Sequence, residues 1–313
     1  MQGLTFLPVH HALCPTLAQI MDEEQRAWMA DLAWDSTPIR QVLASHLAQK
    51  LLPGYAAVIA GHAIGYTYFL VHQRKGIIGT VYVPPAKDNQ MIADELLSLA
   101  INALKSSEGM RRIEAQIIPF HNLNLTAGFT RNGFQYHARY YLEIDLSSYY
   151  SWASQPAPQE RIASWDSAYL PYMAELTIAS YRNQIDAVIC EDYGSQVGCE
   201  SYLRSLVENP GCGVFEPEAS FVAIDSRGLP CGFVISSRIS GSAGMIPQIA
   251  ISPSHQSRGL GKSLMSRALS HFKSRGFRTV SLTVTKKNRR AFEWYQRIGF
   301  RIRKEFGAFV WNR

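Results

Sequence analysis

Cysteine is scarce in this chain of 313 residues: there are five, an odd number, with no C-x-x-C pair. That excludes a disulfide framework and a closed structural zinc site, and reads Cys14, Cys190, Cys199, Cys212 and Cys231 as reduced thiols. Long apolar runs are missing as well. The most apolar early stretch, 55–66, is broken by His62 and by glycine and small residues, short of the roughly 18 residues that a membrane helix needs. The opening M-Q-G-L-T-F-L has neither the cationic start nor the sustained apolar core of a secretory signal, so the expected compartment is the cytoplasm. Charge is nearly balanced: 31 Lys and Arg against 25 Asp and Glu leave +6, which suits an anionic ligand and does not make a nucleic-acid-binding chain. Neither H-E-x-x-H nor G-x-S-x-G occurs, and the nine histidines are scattered apart from His10 and His11. No metal site and no serine-hydrolase elbow is therefore expected.

What is present is an ordinary globular composition, 47% hydrophobic and 18% charged, over a length that suits two domains. Residues 147–160, rich in Ser and Pro, read as a linker between a domain at 1–146 and another at 161–313. The two halves repeat one another. Residues 109–135 (G-M-R-R-I-E-A-Q-I-I-P-F-H-N-L-N-L-T-A-G-F-T-R-N-G-F-Q) and 276–301 (G-F-R-T-V-S-L-T-V-T-K-K-N-R-R-A-F-E-W-Y-Q-R-I-G-F-R) align with a one-residue gap. Each gives a glycine turn, an alternating strand (113–118 and 279–285), an Asn, a short amphipathic helix and Gly-Phe before another strand. Upstream, 76–83 with Pro84 parallels 245–252 with Pro253, and helices are predicted at 91–105 and 261–273. Helical stretches at 14–33 and 167–181 open the halves, and 221–236 reads as a hairpin turning at Gly228-Leu229-Pro230. The expected class is α/β, in the α+β sense of a mixed sheet, present twice.

The sharpest local signal is Gln256-Ser257-Arg258-Gly259-Leu260-Gly261-Lys262-Ser263, between a strand and a helix. Glycines let successive backbone N–H groups converge on an anion, and the helix N-terminus adds partial positive charge. A phosphate or pyrophosphate cradle follows, with Arg258 and Lys262 as cations at its rim. A P-loop needs glycine where Gln256 stands, and the dinucleotide pattern G-x-G-x-x-G fails at Leu264.

The pattern [QR]-x-x-G-x-[GA] fits in full, and with the strand before Pro253, Asn288 ending the next strand, Tyr295 seven residues on and Gly299-Phe300, the chain resembles the GNAT superfamily of acyl-CoA-dependent N-acetyltransferases. The resemblance covers about the last 110 residues closely and 161–313 more loosely. It implies acetyl-CoA as acyl donor, a small-molecule or peptide amine as acceptor, and no membrane or nucleic-acid partner. It places the coenzyme pyrophosphate at Gln256, Arg258, Gly259, Gly261, Lys262 and Ser263, the pantetheine arm along Ile249 and Ile251, and another coenzyme contact at Asn288. Tyr295 matches the tyrosine that many members use to protonate the departing thiolate; a phenol of pKa about 10 suits that task. Asn288 is equally an expected helix N-cap, and Tyr295 an expected core aromatic.

Two departures stand out. Pro247 and Gln248 occupy strand positions where many members carry a basic carboxylate, which moves the search for a base to Glu191, Asp192, Glu200 and His255. The first half sets Phe129 opposite Tyr295 and lacks glycine in 84–91, so it is expected to keep the fold without the chemistry. The basic run 286–290 begins a helix beside the cradle, where phosphates account for it. A non-catalytic acyl-CoA-binding regulator is the alternative function. A homodimer and an internal imitation of one are both compatible with the duplication.

Overall fold

A computed structural model describes residues 3–12, 14–86, 88–149 and 160–313. Most of the expected linker, 150–159, and Lys87 of the 84–91 loop lie outside the described residues. In chain order the first half carries β1 (Leu4–Pro8), α1 (Cys14–Leu32), α2 (Thr37–Ala48), β2 (Gly54–Ile59), β3 (His62–His72), β4 (Lys75–Tyr82), α3 (Asn89–Ser106), β5 (Arg112–Ile117), α4 (Thr126–Arg131) and β6 (Gln135–Asp145). The second carries β7 (Arg161–Ser164), α5 (Leu170–Tyr181), α6 (Ile185–Ile189), α7 (Gln196–Glu208), β8 (Val214–Phe215), β9 (Phe221–Ile224), β10 (Pro230–Arg238), β11 (Ala243–Ile251), α8 (Leu260–Ser274), β12 (Thr279–Thr285), α9 (Arg289–Arg297) and β13 (Arg301–Asn312).

The chain divides into two compact units, but not at the cuts expected from the linker. Unit 1 takes the residues up to Leu32, Arg40–Arg139 and Glu305–Arg313; unit 2 takes Ala33–Ile39 and Tyr140–Lys304. The boundaries 1–146 and 161–313 are thus corrected by an exchange of strands. Unit 1 completes its sheet, β1-β2-β3-β4-β5, with the end of the chain: Gly307–Asn312 of β13 pair antiparallel with β5, from Ile117 to Arg112. Phe309 is buried there and stacks on Phe129 at 3.9 Å between centroids. Unit 2 orders its strands β7-β9-β10-β11-β12-β6, with β8 on β10, and takes Leu142, Ile144 and Leu146 into its core. Burial drives the assignment, because each strand's apolar face belongs to the core that it completes.

Within each unit the same pattern recurs, down to single contacts. The helix after the central strand turns one apolar stripe to the sheet: Ile92, Leu96, Leu97, Ile101 and Leu104 on α3, Leu260, Leu264, Met265, Leu269 and Phe272 on α8. Under each lies a strand glycine with no room for a side chain. A Cβ on Gly76 would stand 2.7 Å from Leu104, and one on Gly244 would stand 2.7 Å from the Phe272 ring. Gly76 therefore corresponds to Gly244, one residue away from the correspondence that aligning Pro84 with Pro253 suggests. Both mixed sheets hold a parallel pair, β4 with β5 and β11 with β12.

Candidate active site

The parallel pairing of β11 with β12 is brief, Ala243–Met245 against Thr279–Ser281. Beyond it β11 runs on to Ile251 paired with β10. A bulge sits where the strand parts from β12: Ile235 pairs with Gln248 and Ser237 with Met245, so Ile246 and Pro247 face the single residue Ser236. Proline lacks the N–H that a regular ladder would use there, and bulges bend strands and re-aim the side chains that follow. After the bulge Ile249 and Ile251 pack toward the core under α8, while Ala250 packs toward the core of α5 and α7.

A cleft of about 440 Å³ opens along this strand. Its walls include Ile249 and Ile251 of β11, Tyr181 of α5, Gly259, Gly261 and Lys262 at the start of α8, and Asn288, Trp294 and Tyr295 of the α9 region. The turn into α8 is built by backbone that most residues avoid: Ser257 has φ 62° and Gly259, at the N-cap, φ 85°. Gln256 Nε2 donates to the Ile251 carbonyl at 2.9 Å and ties the turn to the strand, and Arg290 Nη2 donates to Ser257 Oγ at 3.1 Å. With Lys262, Arg290 and Arg297 on its lining, the cleft has a cationic wall at the helix end.

The sequence-predicted residues separate here. Ile249, Ile251, Gln256, Gly259, Gly261, Lys262, Asn288 and Tyr295 are brought together on one lining. Arg258 is exposed on the turn and Ser263 sends its Oγ to the Gly259 carbonyl at 3.3 Å; neither is part of that lining. Asn288 caps α9 by accepting from the Ala291 N–H at 3.3 Å and donates from Nδ2 to Asp186 at 2.9 Å. Tyr295 is buried, its ring 4.9 Å from that of Trp294 and edge-on to Phe300 at 5.9 Å. The four candidate bases, Glu191, Asp192, Glu200 and His255, stand off the lining: Glu200 is paired with Arg204 at 3.3 Å, and His255 Nδ1 lies 3.0 Å from Ser254 Oγ.

Three polar side chains escaped the sequence reading. Asp186, on the short helix α6, is buried and accepts from Thr285 Oγ1 at 2.6 Å as well as from Asn288. No motif marks it, because its partners lie about a hundred residues away. Side chains from α5 also reach the strand backbone: Ser180 Oγ donates to the Ile251 carbonyl at 2.8 Å and Tyr181 to that of Ile249 at 3.3 Å.

The comparisons with known proteins agree with this geometry. The Acetyltransferase (GNAT) family matches residues 182–300. An uncharacterized N-acetyltransferase of Methanocaldococcus jannaschii is 35% identical over 89 residues, 26% of this chain and 39% of that protein. The mycothiol acetyltransferase of Actinosynnema mirum is 35% identical over 86 residues, 28% of this chain and 29% of that protein. The matched stretch thus spans well under half the length of these relatives. Among solved structures, a tandem GNAT protein from the clavulanic acid biosynthesis pathway superposes with a TM-score of 0.66 at 14% identity, over 99% of this chain and 98% of that one. A GCN5-related N-acetyltransferase from Sphaerobacter thermophilus gives 0.66 at 15% identity, over 98% and 95%. The chain has the tandem fold of these structures, and its residues 182–300 match the Acetyltransferase (GNAT) family.

Proposed function

We propose that the cleft of unit 2 takes acetyl-CoA and that the domain transfers the acetyl group to a primary amine. One observation carries this reading: the glycine-turned start of α8, the stretch of β11 beyond its pairing with β12, and Tyr295 all line the same cleft. The residues suit the coenzyme. A positive φ at Gly259 turns the chain into α8 without a side chain at that point, and Gly261 has only ordinary contacts around the place of a Cβ. Backbone N–H groups of 259–263 would hold the pyrophosphate, with Lys262 and Arg290 as counter-charges and Arg258 at the rim. Gln256 acts by clamping the turn, and Asn288 by fixing the mouth of the cleft through its cap and its bond to Asp186. The edge of β11 at Ile249 and Ile251 would orient the pantetheine arm. Bound acetyl-CoA supplies an activated thioester. Tyr295 would give its Oη proton to the departing sulfur, from a buried ring packed between Trp294 and Phe300.

Unit 1 has the fold without these parts: Phe129, fully buried, stands where unit 2 has Tyr295. We assign it a supporting role. A binding protein without catalysis is the second reading, favoured by an amide, Gln248, where a carboxylate base is usual. The test is Tyr295→Phe. Acetyl transfer to a panel of amines should fall about a hundredfold or more, the contribution of a positioned acid, with acetyl-CoA affinity held. Undiminished transfer removes Tyr295 from the chemistry, and no transfer or thioester hydrolysis by the wild type favours the binding protein.

A further inference from the structure

The backbone of β11 faces two ways in turn. Ser252 donates its N–H to the Cys231 carbonyl at 2.9 Å, and Ala250, two residues back, stands opposite Phe233 in the same ladder. In an antiparallel ladder every second residue bonds across, and the residues between turn their N–H and C=O groups the other way. Ile249 and Ile251 therefore aim theirs away from β10, toward the side where the strand has parted from β12 and both residues line the cleft. A strand edge of this kind is a template for an extended chain of amides.

Its acceptors are already engaged from within the protein. Ser180 and Tyr181, the last two residues of α5, continue the helix face that buries Met173, Leu176 and Thr177, and both line the cleft. Ser180 Oγ donates to the Ile251 carbonyl at 2.8 Å, Gln256 Nε2 donates to the same oxygen at 2.9 Å, and Tyr181 Oη donates to the Ile249 carbonyl at 3.3 Å. A carbonyl oxygen has two lone pairs, so that of Ile251 is full; a hydroxyl has one hydrogen, so Ser180 has none left for a ligand. Gln256 also ties the turn into α8, which leaves the two hydroxyls of α5 as the donors that can give way. The chain that carries them is held on both sides, by the buried face of α5 and by the bonds of Asp186 to Thr285 and Asn288. Between these anchors Gln184 N–H donates to the Tyr181 carbonyl at 2.9 Å. Release is therefore a rotation of two side chains, with the helix end kept in place.

Resting on the acetyl-transfer reading above, we propose that the Ser180 and Tyr181 hydroxyls cap the places on β11 that amide N–H groups of the coenzyme arm take, and that the arm binds by displacing them. The caps keep the strand edge satisfied between turnovers and weaken coenzyme binding by what their bonds are worth. Removing a cap then strengthens binding, the reverse of removing a ligand contact. By titration calorimetry Ser180→Ala and Tyr181→Phe should each bind acetyl-CoA about two- to tenfold more tightly, the net worth of one hydrogen bond, with the gain in the association rate. 3′-Phospho-ADP, which has the phosphates of the coenzyme and no arm, should bind wild type and variants alike. If the wild type binds acetyl-CoA and the double variant Ser180→Ala, Tyr181→Phe binds it no more tightly, the displacement is overturned and the transfer reading stands. An equal gain for 3′-phospho-ADP also overturns it, because the effect would then not arise at the strand edge. Failure of both the wild type and the double variant to bind acetyl-CoA sinks the transfer reading, and the displacement with it.

Discussion

Replacing Gly259 and Gly261 by alanine, one at a time, separates the folding of the cradle from its use. Gly259 holds φ 85° at the N-cap of α8, a conformation that costs an L-residue about 1–2 kcal/mol. Gly259→Ala should therefore lower the stability of unit 2 by that amount. Gly261 is the second residue of the helix, and a Cβ there meets Ile251 Cγ1 at 3.5 Å and Trp294 Cζ2 at 3.8 Å, ordinary separations. Gly261→Ala should raise stability by about 0.5–1 kcal/mol through the lower entropy of the unfolded chain. The two substitutions move stability in opposite directions and ligand affinity in the same one. A methyl on residue 261 occupies the approach to the backbone N–H groups, so acetyl-CoA should bind at least tenfold more weakly, about 1.4 kcal/mol. Urea unfolding gives the first quantity and titration calorimetry the second. Wild-type affinity in Gly261→Ala would refute the placement of the pyrophosphate on this turn, whatever happens to Gly259→Ala.

Asn288→Ala removes the cap from α9, about 1 kcal/mol, and takes from buried Asp186 one of its two donors, about 1–3 kcal/mol more; Asn288→Ser restores the cap alone and should recover only the smaller part in thermal unfolding. In unit 1, burial raises the Glu24 carboxyl above its ordinary range, against the lowering effect of bonds from Tyr66, Thr80 and Trp28. The folded state then holds this proton more tightly than the unfolded one, so the stability it contributes is present below the ordinary value of 4.5 and is lost as pH rises through the folded value. Unfolding measured from pH 4 to 8 should show unit 1 weakening with rising pH, and Glu24→Gln should flatten that slope.

Local signals carried most of the fold. The helices at 91–105 and 261–273 extend to Asn89–Ser106 and Leu260–Ser274, because apolar spacing and glycine turns fix a helix within its own segment. The strand at 279–285 falls on Thr279–Thr285, and the turn before Pro230 joins β9 to β10. The turn into α8 was legible for the same reason, since its glycines and the helix that follows are contiguous. What was not legible depends on partners far along the chain. The apolar patterns of β6 and β13 fit either sheet, and only the assembled cores decide which unit each strand serves. Asp186 meets Thr285 and Asn288 across about a hundred residues, and Gln248 meets Tyr193 across 55.

The exchange of strands also sets an order of events in synthesis. The segment that closes the sheet of unit 1, Glu305–Arg313, is synthesised after the whole of unit 2, although the β5 that it pairs with was made some two hundred residues earlier. Domains that fold vectorially complete themselves as they emerge. Unit 1 must instead wait with one edge of β5 open, an exposed template for wrong pairing, until unit 2 has been made. Neither half, expressed alone by cutting near residue 150, contains its own full set of strands, so the gene behaves as one folding unit that encodes two domains. Loop closure over that distance makes the last pairing slow, and a protein of this design gains from chaperones that hold the nascent first half.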